Sequence, residues 1–378
     1  MRRDLFTEDH EAFRELARDF VEKEVVPAYP DWEKGGRMPR DVFKKMGALG
    51  MLGMAIPEEY GGAGMPDYRY NVVLQEEAAR ALVTLSTVRT QLEVILPYFL
   101  NYANEVQRKR WFPGLADGTL LTAVAMTEPG TGSDLAGMRT TAVRDGDHWI
   151  VNGAKTFITG GIQADLVIVV ARTTPEGGSR GMSLILVETD RPGFRRGRNL
   201  KKLGHLSSDT SELFFDEVRV PATNVLGASG GAMGALMSEL PQERLTIALH
   251  SIAAAQKAFD LTKDYVRQRN AFGSPIGNFQ NTRFKLADLK SDLAVGWAYV
   301  DQCLREHINR ELTTYAASTA KLWITEMHGR VVDQCLQFFG GYGFMREYEI
   351  CRLYADARVL RIYGGTSEIM RELISRNL

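Results

Sequence analysis

The stretch "TTAVRDGDHWIVNGAKTFIT", residues 140–159, decides the fold. Apolar and polar residues alternate along it, the two-residue period of a half-buried strand. It also carries Asp145-Gly146 and Asn152-Gly153, dipeptides that favour two-residue hairpin turns. Working outward, "TLLTAVAM" (119–126), "ADLVIVVART" (164–173) and "GMSLILVET" (181–189) are apolar runs of buried-strand length. "TSELFFDEVRVP" (210–221) alternates again. The block from Thr119 to Leu226 therefore reads as an antiparallel, barrel-like β domain. Strands and helices do not alternate in it, so a Rossmann sheet is not indicated.

Helical patterns lie on both sides. On the N-terminal side, Thr7 can cap "EDHEAFRELARDFVEKEVV" (8–26), and Pro27 ends it. "PRDVFKKMGALGM" (39–51), "RYNVVLQEEAARAL" (69–82) and "EVQRKRWFPGLADG" (105–118) are further helical segments. "PEEYGGAGMPDY" (57–68) is a Gly/Pro-rich loop. On the C-terminal side, the long segment 235–269 is apolar on several faces, as in the central helix of a bundle. Segments 279–310 and 314–339 follow it, and "GGYGF" (340–344) turns between helices. The expected architecture is α+β and multidomain. A helical domain (1–118) precedes the β domain (119–227), and a four-helix bundle (228–378) follows. At about 150 residues per domain, a chain of 378 residues suits two or three domains.

Composition removes several function classes. The net charge of −1 supplies no basic field for nucleic acid or an anionic membrane. No apolar run reaches the ~18 residues that suggest a spanning helix, and the start has no signal-peptide core. Cys303, Cys335 and Cys351 are odd in number and form no CxxC, which points to reduced thiols and a cytoplasmic protein. The six histidines are scattered without metal-ligand spacing, so no metal is expected.

Two glycine-rich stretches can carry binding. "MTEPGTGSD" (126–134) follows a strand and offers free backbone and hydroxyls to a heterocycle edge or a phosphate. Taken alone it is a weak signal, since a glycine-rich turn is more often just a turn. "YGGTSEI" (363–369) has similar chemistry, but nothing in it moves a proton.

Six stretches occur in order: "AMTEPGTGSD", "VNGAKTFITGG", "KKLG…SSDTSELFFDEVRVP", "RQRNAFGSPIGNFQ", "LQFFGGYGF" and "YGGTSEI". On this helix–sheet–helix layout the series resembles the acyl-CoA dehydrogenase family over essentially the whole chain. Within that family it is most similar to long-chain and isovaleryl-type members. The resemblance implies FAD, an acyl-CoA substrate, an electron-transfer flavoprotein as acceptor and a homotetramer built as a dimer of dimers. It implies flavin contacts from Met126, Thr127, Gly132, Ser133, Phe157 and Thr159. It also implies that Arg269, Phe272, Gln280, Gln337 and Gly341 hold the FAD of a neighbouring subunit. Thr366 and Glu368 would lie near the pyrophosphate and adenosine. Read residue by residue, Phe272 could equally be core, Arg269 a solvated helix end and Gln337 a helix cap. Phe157 stands where many relatives have tryptophan, Leu206 replaces a usual basic residue, and Glu349 replaces a common proline.

The reaction implied is α,β-dehydrogenation of a saturated acyl thioester. It needs a carboxylate to take the α-proton. Many relatives place that glutamate where this chain has Gly364. The long C-terminal helix offers another. Leu236, Leu240, Glu243, Ile247 and His250 are spaced 4, 3, 4, 3 along one stripe, so Glu243 interrupts an apolar face. Pro241, just upstream, can free a backbone carbonyl there. From the residues alone, Glu243 is either a desolvated base or half of a structural ion pair. "ELPQERL" (239–245) resembles the segment whose glutamate is the base in long-chain and isovaleryl-type enzymes, which assigns Glu243. Glu239 reads as exposed or structural. The same resemblance gives Gly364 a backbone N–H that donates to the thioester carbonyl, a contact worth about 3 kcal/mol of barrier. Ser133, Arg244 and Tyr363 would contact the substrate, and "TLSTVRTQLEVILPYFLNY" (84–102) would line the acyl cavity. A flavin oxidase, a monooxygenase or a dehydrogenase of a carrier-bound acyl group on this scaffold is the alternative.

Overall fold

The computed structural model describes residues 3–174 and 178–378, so Met1 and Arg2 of the expected N-terminal domain lie outside the described residues. The chain opens with α1 (Glu8–Phe20), which passes into a π-helical turn (Val21–Val25) before Pro27. Thr7 caps α1 with extended backbone, and its N–H donates to His10 Nδ1 at 3.2 Å. There follow α2 (Tyr29–Gly35), α3 (Arg40–Ala48) and α4 (Arg69–Arg80). The apolar stretch after α4 is helical throughout: α5 (Ser86–Arg89), a π-helical segment (Thr90–Ile95) and α6 (Leu96–Tyr102). A π-helical turn inside a helix often marks a functional site. Here it places Arg89 and Glu93. Helix α7 (Glu105–Asp117) ends at Gly118, whose φ of 74° supplies the left-handed C-cap.

The middle of the chain is β1 (Thr122–Ala125), β2 (Thr141–Asp145), β3 (His148–Thr159), β4 (Leu166–Arg172), β5 (Met182–Glu188), β6 (Phe194–Asn199), β7 (Thr210–Pro221) and β8 (Val225–Leu226). The strand order is β6-β7-β3-β2-β4-β5-β8. Most pairings are antiparallel, but β1 runs parallel to β4 from Thr122↔Leu166 to Ala125↔Val169, and β2 meets β4 in parallel at Thr141↔Arg172. The sheet is therefore mixed, which differs from the all-antiparallel expectation.

One of the two expected hairpins forms. Asp145 pairs with His148 across a two-residue turn at Gly146 and Asp147. Asn152-Gly153 does not turn; both residues lie inside β3. Asn152 Oδ1 instead accepts from the Glu217 N–H of β7 at 2.8 Å, at a register shift between Val151 and Gly153. Gly153 has φ 148°, and a Cβ there would lie 2.5 Å from Thr140 Oγ1. The dipeptide thus forms a bulge with a close backbone approach rather than a turn.

β4 and β5 are buried on both faces. Leu166, Ile168, Val170, Leu184 and Leu186 join the core of the N-terminal helices, while Val167, Val169, Ile185 and Val187 fill the inside of the sheet. That explains their unbroken apolar runs.

The rest is helical. Helix α8 (Ala232–Gln268) continues through Pro241; after it, β9 (Asn270–Ala271) and β10 (Ser274–Pro275) make a small hairpin. Helices α9 (Gln280–Ile308) and α10 (Thr314–Phe339) pack on α8, with the shorter α11 (Glu349–Ala357) and α12 (Ser367–Ser375) against α10. Their core includes Ile252, Leu293, Val300, Ile324 and Met327, and Tyr68 and Val72 from α4 and the loop before it complete that core. Among the described residues no helix is long and apolar enough to cross a membrane.

Candidate active site

Glu243 sits on α8 with Leu236, Leu240, Ile247 and His250, all buried, along the stripe read from the sequence. The residue is half-buried, but its Oε2 is shielded from solvent and has no hydrogen-bond donor. No salt bridge engages Glu243 among the described residues, so the structural ion pair is absent. Burial pushes its carboxyl above the ordinary carboxylate range, partly offset by the charges of Arg244, Lys321 and Arg89. A desolvated carboxylate without a donor is a strong proton acceptor once ionised. Glu239, one turn back, is buried and structural rather than exposed: its Oε1 accepts from Asn101 Nδ2 at 2.9 Å.

Gly364 faces Glu243 from the loop before α12. Its φ is 65°, and an added Cβ would lie 2.4 Å from Ile247 Cδ1 and 3.6 Å from Glu243 Oε1. Ile247 of α8 therefore occupies the space a side chain at 364 would take, with the Glu243 carboxylate in contact distance beside it. The Gly364 N–H has no acceptor among the described residues, which leaves it free to donate to a carbonyl. Gly364→Ala should cost about 2 kcal/mol of stability from the left-handed backbone and crowding. Thermal unfolding of wild type and variant checks this. Ile247→Ala in the same chain should recover the crowding part and not the backbone part.

Basic groups surround this pair. Lys321 of α10 is fully buried and donates from Nζ to Gly365 O at 2.5 Å, which fixes the glycine loop. Burial and the Arg244 charge depress its ammonium to about 8, against the pull of Glu243. Arg244 is buried and donates from Nη1 to Ser318 Oγ at 3.4 Å, and its Nε is unpartnered. Arg89 donates from Nη2 to Tyr363 Oη at 2.8 Å. The sequence reading missed Arg89, Lys321 and the packing role of Ile247. A signal existed for Arg89: it and Glu93 are charges four residues apart inside an apolar run.

The "TEPGTGSD" loop leaves β1 and is pinned to β3. Thr156 N–H donates to Thr127 O at 2.9 Å, and Glu128 and Thr131 exchange backbone hydrogen bonds. Lys155, fully buried, donates to Glu128 Oε1 and to Met126 O, each at 2.9 Å. Arg139 and Thr140 N–H groups also donate to the Glu128 carboxylate. Burial alone would raise this carboxyl; the Arg139 N–H and the Lys155 ammonium outweigh it and bring it down to about 2. Gly132 and Ser133 stand exposed at the loop tip, and Met126 and Thr127 are half-buried at its base.

Phe157 lies in a second register shift of β3, between Lys155 and Ile158, with φ 59° and 67% of its surface exposed. Positive φ on an aromatic residue is a strained state that clusters at functional sites. The bulge lifts the ring out of the sheet, and Thr159 follows it at the strand end. An exposed aromatic face beside a free-backbone loop suits a flat heterocycle.

A separate groove of about 430 Å³ is lined by Tyr265, Arg269, Gln337, Gly340, Gly341 and Tyr342, among others. Arg269 is the C-cap residue of α8, and Gln337 lies in the last turn of α10. Phe272 is 97% exposed with φ 51°, which overturns its core reading, and Gln280 is exposed at the start of α9. Thr366 is the N-cap of α12, its Oγ1 accepting from Ile369 N at 3.3 Å. Glu368 is exposed in the first turn. The residues matched to FAD thus form a group around the β1 loop and Phe157 and another around Arg269, with Thr366 and Glu368 at the start of α12. An arginine, a glutamine amide and bare glycine backbone around an open groove fit a dinucleotide's phosphates and adenosine.

Comparison with known proteins follows this layout. Models of the acyl-CoA dehydrogenase N-terminal, middle and C-terminal domains match residues 7–119, 123–218 and 231–378. The chain is 45% identical over 378 residues to the long-chain specific acyl-CoA dehydrogenase, mitochondrial, of Sus scrofa, covering 100% of this chain and 88% of that protein. The crystal structure of an acyl-CoA dehydrogenase from Geobacillus kaustophilus superposes with a TM-score of 0.97 at 46% identity, covering 100% and 99% of the two chains. A glutaryl-CoA dehydrogenase from Mycobacterium smegmatis in complex with FADH2 superposes at 0.89 with 31% identity, covering 99% and 95%.

Proposed function

Because the chain belongs to the acyl-CoA dehydrogenase family, we propose that it converts a saturated acyl-CoA to the trans-2-enoyl-CoA with Glu243 as the base. The protein is an FAD-dependent oxidoreductase that acts on acyl-CoA. The observation that carries the residue-level reading is the nearness of Glu243 to Gly364: Oε1 of the α8 carboxylate lies 3.6 Å from where a Cβ at 364 would stand, so a base on α8 reaches the same backbone.

The roles of the residues follow. The ionised Glu243 takes the α-proton of the thioester. The free Gly364 N–H holds the thioester carbonyl and stabilises the enolate-like charge that develops there. Lys321 keeps the glycine loop in place through Gly365 O. Arg244 and Tyr363 position the acyl-CoA, with Ser133 at the loop tip. FAD held there would supply the acceptor for the hydride that leaves the β-carbon. Met126, Thr127, Gly132, Ser133, Phe157 and Thr159 hold its flavin, and Thr366 and Glu368 lie toward its pyrophosphate and adenosine. Arg269, Phe272, Gln280, Gln337 and Gly341 serve the FAD of a neighbouring subunit in a homotetramer. Electrons then pass to an electron-transfer flavoprotein. We further infer a cytoplasmic protein of three domains, 1–118, 119–227 and 228–378.

The test is an anaerobic titration of the holoenzyme with saturated acyl-CoAs, followed by flavin absorbance. Bleaching that persists until an electron-transfer flavoprotein is added supports the reading; rapid reoxidation by oxygen would contradict it. A pH dependence follows as well. The base works only when ionised, and burial raises its pKa above that of an ordinary glutamate. The rate of flavin reduction should therefore rise with pH through a single ionisation above the ordinary carboxylate range. A rate that shows no such ionisation would remove Glu243 from that role.

A further inference from the structure

Arg89 closes α5 and is only 9% exposed. No ion pair engages it among the described residues, and its Nη1 has no acceptor. Its side-chain hydrogen bond runs from Nη2 to Tyr363 Oη at 2.8 Å. A buried cation without a counter-ion costs stability, and an apolar side chain of similar size would avoid that cost. The contact it makes therefore calls for a reason other than stability.

That reason lies one residue further along. Tyr363 precedes Gly364, so the peptide that joins them carries the Gly364 N–H. Gly364 and Gly365 have φ of 65° and 95°, and neither has a side chain to fix its own direction. The loop is held from outside at two points. Arg89, from the N-terminal helices, takes the Tyr363 hydroxyl, and Lys321 of α10 takes the Gly365 carbonyl at 2.5 Å. The free N–H stands between these two anchors. The same two cations act on Glu243, together with Arg244 of its own helix.

We propose that Arg89 is a positioning residue of the dehydrogenation: through the Tyr363 hydroxyl it aims the Gly364 N–H at the thioester carbonyl. The proposal rests on the reading of Glu243 and Gly364 given above. Arg89 makes no hydrogen bond to Glu243; its charge adds a second, longer-range effect by favouring the ionised carboxylate. Besides the three cations, the hydroxyls of Tyr98 on α6 and Tyr363 interact with Glu243. Arg89 in turn acts on Glu93 one turn on, on His250 of α8 and on His205 between β6 and β7. Among all these groups, Arg89 alone is a cation bonded to the residue before Gly364.

The experiment compares wild-type holoenzyme with Arg89→Met, Arg89→Lys and Tyr363→Phe. Arg89→Met removes an unpaired buried cation, so the fold should tolerate it. Tyr363→Phe cuts the same contact from the other side. One readout is the infrared carbonyl stretch of a bound trans-2-enoyl-CoA labelled with carbon-13 at C1. The other is the pH profile of flavin reduction by the matching saturated acyl-CoA. In wild type the bound carbonyl should absorb below the free ester, because a donated N–H weakens the C=O bond. Tyr363→Phe should lose most of that shift and reduce flavin about tenfold more slowly, a smaller loss than the ~10²–10³ of removing such a donor outright. Its pH midpoint should match wild type. Arg89→Met should lose the carbonyl shift equally, and its midpoint should move to higher pH because a cation near the carboxylate is gone. Arg89→Lys keeps the charge and should keep the midpoint. A wild-type carbonyl shift in Arg89→Met would overturn the proposal, whatever the rate or melting temperature, since a merely structural contact predicts that result. The dehydrogenase reading would survive it, because wild type still bleaches. Neither bleaching nor a carbonyl shift in wild type would sink the reading of Glu243 and Gly364 itself.

Discussion

Glu243→Gln should bind FAD with an unchanged visible spectrum and reduce it with acyl-CoA about 10³–10⁴ times more slowly than wild type, as removal of a general base does. The amide keeps the size of the side chain and loses the proton acceptor. The site makes this loss hard to rescue locally. Glu243 Oε2 has no donor, and the nearby charges are those of Arg89, Arg244 and Lys321, none of which is a carboxylate. Restoring the base at position 364 is also blocked. Gly364→Glu would place a Cβ at φ 65° against Ile247 Cδ1, in the space beside the residue at 243. The double variant Glu243→Gln/Gly364→Glu should therefore stay slow unless Ile247 is shortened as well. Stopped-flow flavin reduction measures all three variants. Wild-type rates in the single variant would show that the proton leaves by another route.

Lys155→Met should destabilise the protein by about 3–5 kcal/mol, because it leaves the Glu128 carboxylate buried without its counter-charge. The lysine is fully buried and bonded to both Glu128 Oε1 and Met126 O. Its loss releases the base of the loop that carries Thr127, Gly132 and Ser133. FAD affinity should fall with stability, and added FAD should recover only part of the melting temperature. Glu128→Gln should be milder, since an amide oxygen can still accept from Arg139 or Thr140. The same carboxylate makes a pH prediction. Its folded pKa of about 2 lies below the 4.5 of an ordinary glutamate. Its stabilising contribution is present above pH 4.5 and is lost as pH falls from there towards about 2. The size is about 3 kcal/mol. Glu128→Gln should flatten the acid limb of stability by that amount, measured by denaturant unfolding at stepped pH. An acid limb as steep as that of wild type would mean that other carboxylates carry it.

Much of this molecule could be read from local pattern. Alternation and unbroken apolar runs located the strands, and the 4, 3, 4, 3 stripe placed Glu243 on an otherwise apolar helix face. Dipeptides were less reliable. Asp145-Gly146 turns, whereas Asn152-Gly153 bulges, because Thr140 and Glu217 hold that part of β3 in the sheet. The parallel pairing of β1 with β4 joins residues some forty positions apart, and no local signal encodes such a register. Lys321 and Ile247 were not legible as site residues for the same reason. They come from α10 and α8, and only the packed fold brings them to Gly364 and Gly365. Phe272 was ambiguous in sequence, since an aromatic residue after a helix suits a core or an interface equally. Its near-complete exposure decides against the core of this chain.

The central claim is that Glu243 takes the α-proton while Gly364 N–H holds the carbonyl. A 3-thia-acyl-CoA tests it most directly. Sulfur in place of the β-carbon permits loss of the α-proton and prevents hydride transfer, so the measurement isolates the proton step. Wild-type holoenzyme should develop a long-wavelength charge-transfer band as the enolate forms beside the flavin. Glu243→Gln should bind the same ligand, shown by competition with an acyl-CoA product, and develop no band. A band of wild-type intensity in Glu243→Gln would contradict the account.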